Sequence, residues 1–232
     1  AARCFGLFQS WLIDLDARRL SETIPQFFSS PHRLRQFRAA LEACRRGGEQ
    51  AGRADSAADE IRFVLDRAGE VGVFEEHELA GRIPPRVVHG DTKLNNVLFD
   101  AQSGEAICIV DLDTCMRGWS LYDFGDLVRF TAARSREDEV DPERAGLDLE
   151  LYRALAAGYS TATSGFLTPL ERELMPFAAR LVTLTVGTRF LTDWLSGDVY
   201  FKTSRPGHNL DRARVQFRMV ADMERRADEL RV

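Results

Sequence analysis

Arg86-Val87-Val88-His89-Gly90-Asp91-Thr92-Lys93-Leu94-Asn95-Asn96-Val97-Leu98-Phe99 is the stretch from which the rest of the chain is read. A polar, glycine-containing run, His89 to Asn96, lies between the apolar pairs and triplets Val87-Val88 and Val97-Leu98-Phe99. Asp100-Ala101-Gln102-Ser103-Gly104 is a turn signal, and Ile107-Cys108-Ile109-Val110 is a third apolar run that ends at Asp111-Leu112-Asp113. Short apolar runs punctuated by turn residues predict three short strands, the second and third joined as a hairpin. Polar residues are densest where the backbone is least regular, and a loop carried on rigid strands is where binding and catalytic groups are usually placed.

On both sides the period changes to that of helices. Upstream, Ser30-Pro31 reads as an N-cap followed by proline, and Leu34, Phe37, Leu41 and Cys44 form one apolar stripe. Arg45 to Asp55 reads as a loop. Ser56-Ala57-Ala58-Asp59 resembles a capping box ahead of the stripe Ile61, Val64, Leu65 and Ala68, and Ile83-Pro84-Pro85 ends that region. Downstream, Leu121, Phe124, Leu127 and Val128 share a helical face, and Leu151, Leu155 and Tyr159 share another. Thr168-Pro169-Leu170-Glu171 is a second capping box, and Pro176 kinks or restarts its helix. A last helix begins near Asn209 and runs through Leu210, Ala213, Phe217, Val220, Ala227 and Leu230. Phe5, Phe8, Phe27 and Phe28 read as core. The sum is an α+β fold over residues 1–232: mainly helical, with a β insert at about 86–113.

The 232 residues suit one large domain at about 100–200 residues per domain, and 44% hydrophobic with 29% charged is ordinary globular composition. A net charge of -5 gives no basic surface for nucleic acid or an anionic membrane, and no apolar run approaches the ~18 residues of a membrane span. Cys4, Cys44, Cys108 and Cys115 have neither metal-site nor disulfide spacing, which predicts reduced thiols and a cytoplasmic setting. Ala1 to Leu15 carries Arg3 and Asp14 and reads as no secretory leader; the chain opens without methionine, in an amphipathic helix, which predicts a missing upstream segment. The only lysines are Lys93 and Lys202.

The spacing in the central stretch is specific. Asp91, Lys93 two residues later, Asn96 five later and Asp111 at the end of a hairpin are similar in layout to a protein-kinase catalytic loop and its metal-binding aspartate. Phosphoryl transfer passes through a loose, anionic transition state, so positioning and cations do most of the work. Asp91 suits the group that accepts a hydrogen bond from an acceptor hydroxyl. Lys93 suits a point charge on the phosphoryl group. Asp111 and Asn96 offer the hard oxygen ligands that magnesium prefers.

Further motifs extend the likeness. His89-Gly90-Asp91 with Asn96, and Ile109-Val110-Asp111, resemble the aminoglycoside phosphotransferase and choline kinase superfamily, which is similar to protein kinases in its C-terminal lobe. Asp91 to Asp100, Asp111-Leu112-Asp113-Thr114 and Tyr122-Asp123-Phe124-Gly125-Asp126 resemble the branch of N-acetylhexosamine 1-kinase-like proteins. So do Glu22-Thr23-Ile24-Pro25, Arg189-Phe190-Leu191-Thr192-Asp193, Gly197-Asp198-Val199-Tyr200-Phe201 and His208-Asn209-Leu210. The resemblance implies a kinase using ATP and Mg²⁺ on a hydroxyl of a sugar such as an N-acetylhexosamine. It also implies an N-terminal lobe that covers ATP and brings a lysine to its phosphates. This sequence has no G-x-G-x-x-G or G-x-x-x-x-G-K, and neither lysine can be that one. The chain therefore reads as the C-terminal lobe alone, inactive without the missing N-terminal lobe. Aminoglycosides and other small molecules remain alternative acceptors, and a non-catalytic kinase-like binding module is the rival reading.

Around the catalytic set, His89 reads as a residue that pins the loop, Asp113 as a hydrogen-bond partner of the loop or an aid to the metal, and Asp123 as a helix-start acceptor bracing the loop. Sugar recognition fits the segment from Arg189 to Asn209, where Arg189, Asp193, Trp194, Tyr200 and His208 supply hydrogen-bonding groups and aromatic faces. Arg189, Tyr200 and Asp193 are the substrate-binding candidates; Arg189 and Asp193, four apart, also read as a simple ion pair.

Overall fold

The computed structural model describes residues 1–47 and 50–231. In chain order, α1 (Ala2–Trp11) is followed by α2 (Ser30–Arg45), α3 (Arg53–Ser56), α4 (Ala58–Asp66) and α5 (Val73–Leu79). Then come the strands β1 (Arg86–Val88), β2 (Val97–Phe99), β3 (Ala106–Ile109) and β4 (Met116–Gly118). The rest is helical: α6 (Ser120–Thr131), α7 (Leu149–Ala162), α8 (Pro169–Glu173), α9 (Met175–Ser196) and α10 (His208–Arg225). The architecture is the expected α+β. No helix among the described residues is long and apolar enough to cross a membrane.

The centre of the molecule is α9. It is buried on nearly all sides, which its threonines tolerate because Thr183, Thr185 and Thr188 each donate to the carbonyl four residues back. Its first half packs on α6, and α1 and α7, packed on each other and on α6, complete a cluster around Phe5, Phe124, Tyr152 and Tyr159. Its second half packs with α2, α4 and α10 around Phe37, Phe190, Leu191 and Phe217. Two glycines set the spacing. A Cβ on Gly125 would lie 2.6 Å from the Ala178 carbonyl, and one on Gly187 would lie 2.6 Å from the Phe217 ring. Helix α9 ends at Gly197, whose φ of 98° is the left-handed conformation that suits glycine after a helix.

The hairpin of β2 and β3 forms with Val97 opposite Ile109. Beyond expectation, β1 pairs antiparallel with a fourth strand, β4, Val87 facing Arg117. Met116-Arg117-Gly118 has no apolar run, so only the ladder with β1 makes it a strand. The two ribbons share no strand, and the polar stretch of the sequence leaves β1 and re-enters at β2.

Several local readings need correction. The cap of α2 is Ser29, whose Oγ accepts from His32 N, while Ser30 bonds across to Thr185 Oγ1. Ser56 does not cap α4: it closes the short helix α3, so α4 starts at Ala58 with Ala57 in the cap position and no side-chain cap. The loop placed at 45–55 therefore contains a helical turn; Gly48 and Glu49 within it lie outside the described residues. Helix α5, with Phe74 its one buried residue, has no apolar stripe that marks it in the sequence. Leu65 and Leu151 face solvent, and Tyr152 takes the buried place beside Leu155. Ala227 and Leu230 lie on a separate 3-10 turn after α10. Phe5 and Phe28 are core, but Phe8 and Phe27 are only half-buried. Two readings stand: the second capping box, Thr168 with Glu171, is formed, and of the two outcomes expected at Pro176 the restart is the one seen, since it opens α9.

Candidate functional site

The polar stretch folds as a loop clamped along its length by α6. Asp123, fully buried in the first turn of that helix, accepts from His89 N at 2.9 Å and Gly90 N at 2.8 Å. It also accepts from Gln9 Nε2 of α1 at 2.6 Å. One helical turn on, Asp126 accepts from Thr92 N at 2.9 Å, and Thr92 Oγ1 donates to the Asp123 carbonyl at 2.7 Å. The remaining loop amide, Asp91 N, donates to His89 Nδ1 at 3.3 Å. Four consecutive backbone N–H groups thus have defined acceptors, which is what a buried irregular segment requires. Gly90 has a φ of 81° and lies against the Phe28 ring and the Thr114 carbonyl, leaving no room for a side chain.

Burial raises the Asp123 carboxyl above the ordinary aspartate range, opposed by the two loop amides, His89 and Gln9. Gln9 is itself oriented by Tyr159, whose hydroxyl lies 3.0 Å from Gln9 Oε1 and 2.8 Å from the Ser120 carbonyl. Asp126 is paired with the buried Arg129, which also reaches Glu137. Burial opposes that guanidinium's charge, but the two carboxylates outweigh it and hold it above the usual range.

His89 is completely buried, edge-on to Phe5 and Phe8. With Nδ1 accepting from Asp91 N, its Nε2 carries the hydrogen and donates to the Val110 carbonyl at 3.1 Å. One imidazole therefore links Asp91 to the residue preceding Asp111. Asn96 makes the second link: its backbone carbonyl accepts from Val110 N at 3.0 Å, and its side-chain Nδ2 donates to the Asp91 carbonyl at 2.8 Å and to Asp91 Oδ2 at 3.1 Å. Lys93 Nζ lies 2.8 Å from Asp91 Oδ1. Asp91, Lys93 and Asn96 are thus one hydrogen-bonded group, with Asp111 at the same end of the hairpin.

Two oxygen groups there have no partner among the described residues. Asp111, in the left-handed region with a φ of 65°, is exposed and its carboxylate neither caps the following turn nor meets a cation. Asn96 has its amide nitrogen engaged on Asp91, leaving Oδ1 open. A carboxylate and a neutral amide oxygen, both unengaged, fit a magnesium ion that keeps further positions for water and phosphate. Asp113 does not brace the loop: its side chain is exposed, and the residue that reaches His89 is Thr114, through Oγ1 to the carbonyl at 2.8 Å. Cys115 lies close by, but burial, with Asp123 and Asp111, pushes its thiol up to about 12, so it stays protonated and is no nucleophile.

The predicted recognition segment gives a mixed outcome. A groove of about 420 Å³ between α2 and α9 is lined by Arg189 and Tyr200, together with Arg33, Gln36, Thr192 and Phe201. Asp193 also borders it, but its carboxylate is consumed: it accepts from the amides of Val199, Tyr200 and Phe201 and from Asn209 Nδ2. It shapes the 198–201 loop instead of pairing with Arg189. Trp194 turns away, donating to the Arg53 carbonyl under a stacked Arg53 guanidinium. His208 is buried elsewhere, accepting from Ser204 N. The groove adjoins the loop through two rings: Phe28, against Gly90, packs 5.2 Å from Phe27, and Phe27 lies under Arg189.

Sequence reading missed Gln9, Thr92, Thr114, Asp126, Arg129 and Arg33. Asp126 was legible, since it follows Asp123 by three on one helix face; the others are brought in by tertiary packing alone.

A family model described as the phosphotransferase enzyme family matches residues 5–162. The match takes in the whole loop, the hairpin and α6, and the chain belongs to this family of small-molecule phosphotransferases.

Proposed function

We propose that this member of the phosphotransferase family carries the acceptor-side catalytic apparatus of an ATP-dependent kinase, transferring a phosphoryl group to a hydroxyl of a small sugar-like molecule. The observation that carries the reading is Asp91 held on a clamped loop, with Lys93 and Asn96 on its carboxylate, and Asp111, without a partner among the described residues, at the same end of the hairpin. The acceptor hydroxyl donates to Asp91, which aims the hydroxyl oxygen at the γ-phosphorus and takes its proton as the new P–O bond forms and the bond from that phosphorus to the β,γ-bridging oxygen breaks, releasing ADP. Lys93 and Asn96 restrict the rotation of that carboxylate, and Lys93 adds positive charge where the transferred group gathers negative charge. Asp111 and Asn96 Oδ1 would hold Mg²⁺, which when bound supplies neutralising charge to the nucleotide phosphates. The groove between α2 and α9 receives the acceptor, with Arg189 and Tyr200 on its wall. A phosphate-binding lysine of the N-terminal lobe is expected to come from outside these 232 residues, so this chain alone turns over ATP below detection.

The test is a phosphate-acceptor screen of the full-length gene product with ATP, Mg²⁺ and a panel of hexoses, amino sugars and aminoglycosides. Asp111→Ala should raise the magnesium requirement and cut turnover while leaving affinity for the acceptor nearly unchanged. Loss of acceptor affinity with an unmoved magnesium dependence would refute the assignment of Asp111, and no transfer to any hydroxyl acceptor would refute the function.

A further inference from the structure

We infer that the groove between α2 and α9 selects an acceptor bearing an anionic substituent, a carboxylate or a phosphate, held between Arg33 and Arg189. This rests on the reading of the groove as the acceptor site and names the class of molecule it takes.

The argument begins with what the two arginines lack. Neither makes an ion pair with any described residue, and Arg189 makes no hydrogen bond either. Arg189 instead sits among faces: its guanidinium carbon is 5.3 Å from the Phe27 ring centre, 5.4 Å from Phe201 and 5.9 Å from Tyr200. Arg33 lies 5.9 Å from the same Phe27 ring. Its NH groups reach Gln36 Oε1 at 2.9 Å and the Phe27 carbonyl at 3.3 Å, both neutral acceptors, and its Nε is buried with no acceptor among the described residues. Aromatic faces hold a guanidinium flat and leave its edge donors available.

Two like charges lining one groove repel, and a buried polar donor without an acceptor is costly to the fold. Both costs register at Arg33, whose guanidinium is depressed below the usual arginine range first by burial and then by the charge of Arg189. A neutral sugar hydroxyl would satisfy a donor but not the repulsion. A carboxylate or phosphate answers both, because it accepts from planar N–H forks and supplies the missing negative charge. The one acid on the wall among the described residues cannot: the Asp193 carboxylate already accepts four hydrogen bonds from the 198–201 loop and Asn209. The groove is therefore positive in a chain whose net charge is -5, and it is ill suited to a cationic acceptor such as an aminoglycoside.

The experiment is calorimetric binding to the 232-residue chain at low ionic strength, with methyl glucoside, glucuronate, glucose 6-phosphate and inorganic phosphate as probes. The expected result is that at least one of the two anionic hexoses binds ten-fold or more tighter than methyl glucoside. That advantage should shrink with added salt and fall to within about two-fold in Arg189→Met, a substitution that removes no hydrogen bond of the fold. Arg33→Met should do the same. The stronger of glucuronate and glucose 6-phosphate identifies the substituent. Equal binding of neutral and anionic hexoses would overturn the inference and leave the acceptor groove standing. Inorganic phosphate binding as well as the best hexose, or an anionic advantage that survives both substitutions, would also overturn it. Failure of all four probes would remove the acceptor groove along with it.

Discussion

Replacing Asp123 by asparagine tests whether α6 is what holds the catalytic loop. The carboxylate accepts three hydrogen bonds: Gln9 Nε2 and His89 N on Oδ2, and Gly90 N on Oδ1. Asparagine has the same shape but only one acceptor oxygen. With that oxygen toward Gln9 and His89, the new NH₂ faces Gly90 N. With the amide turned round, the NH₂ faces His89 N, and Gln9 must flip and exchange its contact with the Tyr159 hydroxyl. Either way one buried backbone N–H loses its acceptor, at about 1–3 kcal/mol. For a chain of this size about 1 kcal/mol moves Tm by roughly 2–4 °C, so Tm should fall by about 4–8 °C for a mid-range cost. Calorimetry of the variant chain measures this, and hydrogen exchange reports the loop directly: protection at His89 and Gly90 should drop while that of α9 is retained. Where phosphoryl transfer is assayed, the displaced Asp91 should cost about 100-fold in turnover. Unchanged Tm with undiminished protection at both amides would refute the clamp, because three donors cannot share one asparagine oxygen without loss.

Asp91→Asn should lower turnover of the full-length protein by at least ~100-fold with the fold intact, since the change is isosteric; retention of more than a tenth of wild-type turnover would remove Asp91 from the catalytic role. Gly90→Ala should destabilise by about 1–2 kcal/mol for the left-handed backbone alone. The contacts at 2.7 Å with Phe28 and 2.8 Å with the Thr114 carbonyl add to that, so an unchanged denaturation midpoint would count against the close approach. Burial pushes the Glu224 carboxyl up, but the hydrogen bond and charge of Arg67, with Arg180, bring it below the ordinary glutamate range. A depressed folded value contributes stability above the unfolded pKa of about 4.3 and loses it as pH falls through the folded value. The Tm advantage of the wild type over Glu224→Gln should therefore be full at pH 6 and close on the acid side of about pH 4; a gap constant from pH 6 to 3 would refute this.

The sequence alone determined the chemistry-bearing loop and the elements around it, because these depend on local order. Short apolar runs and turn residues fix the β2–β3 hairpin, 3.6-residue stripes fix α2, α6 and α10, and the capping box fixes the start of α8. The spacing of Asp91, Lys93, Asn96 and Asp111 likewise pointed to phosphoryl transfer before any geometry was known, and the family match agrees with that chemistry at the level of the family. Only the tertiary structure decided who holds whom. Strand β4 exists because β1 supplies its ladder. Gln9 reaches Asp123 across 114 residues of chain, and Arg33 shares the Phe27 ring with Arg189 because α2 packs on α9. Asp193 shows the limit most directly: as a residue type it suits sugar hydroxyls, yet four donors from its own chain reach it first. A side chain's chemistry is written in the sequence, but whether its hydrogen-bonding capacity is spent inside the fold or left for a ligand depends on neighbours that no local pattern names.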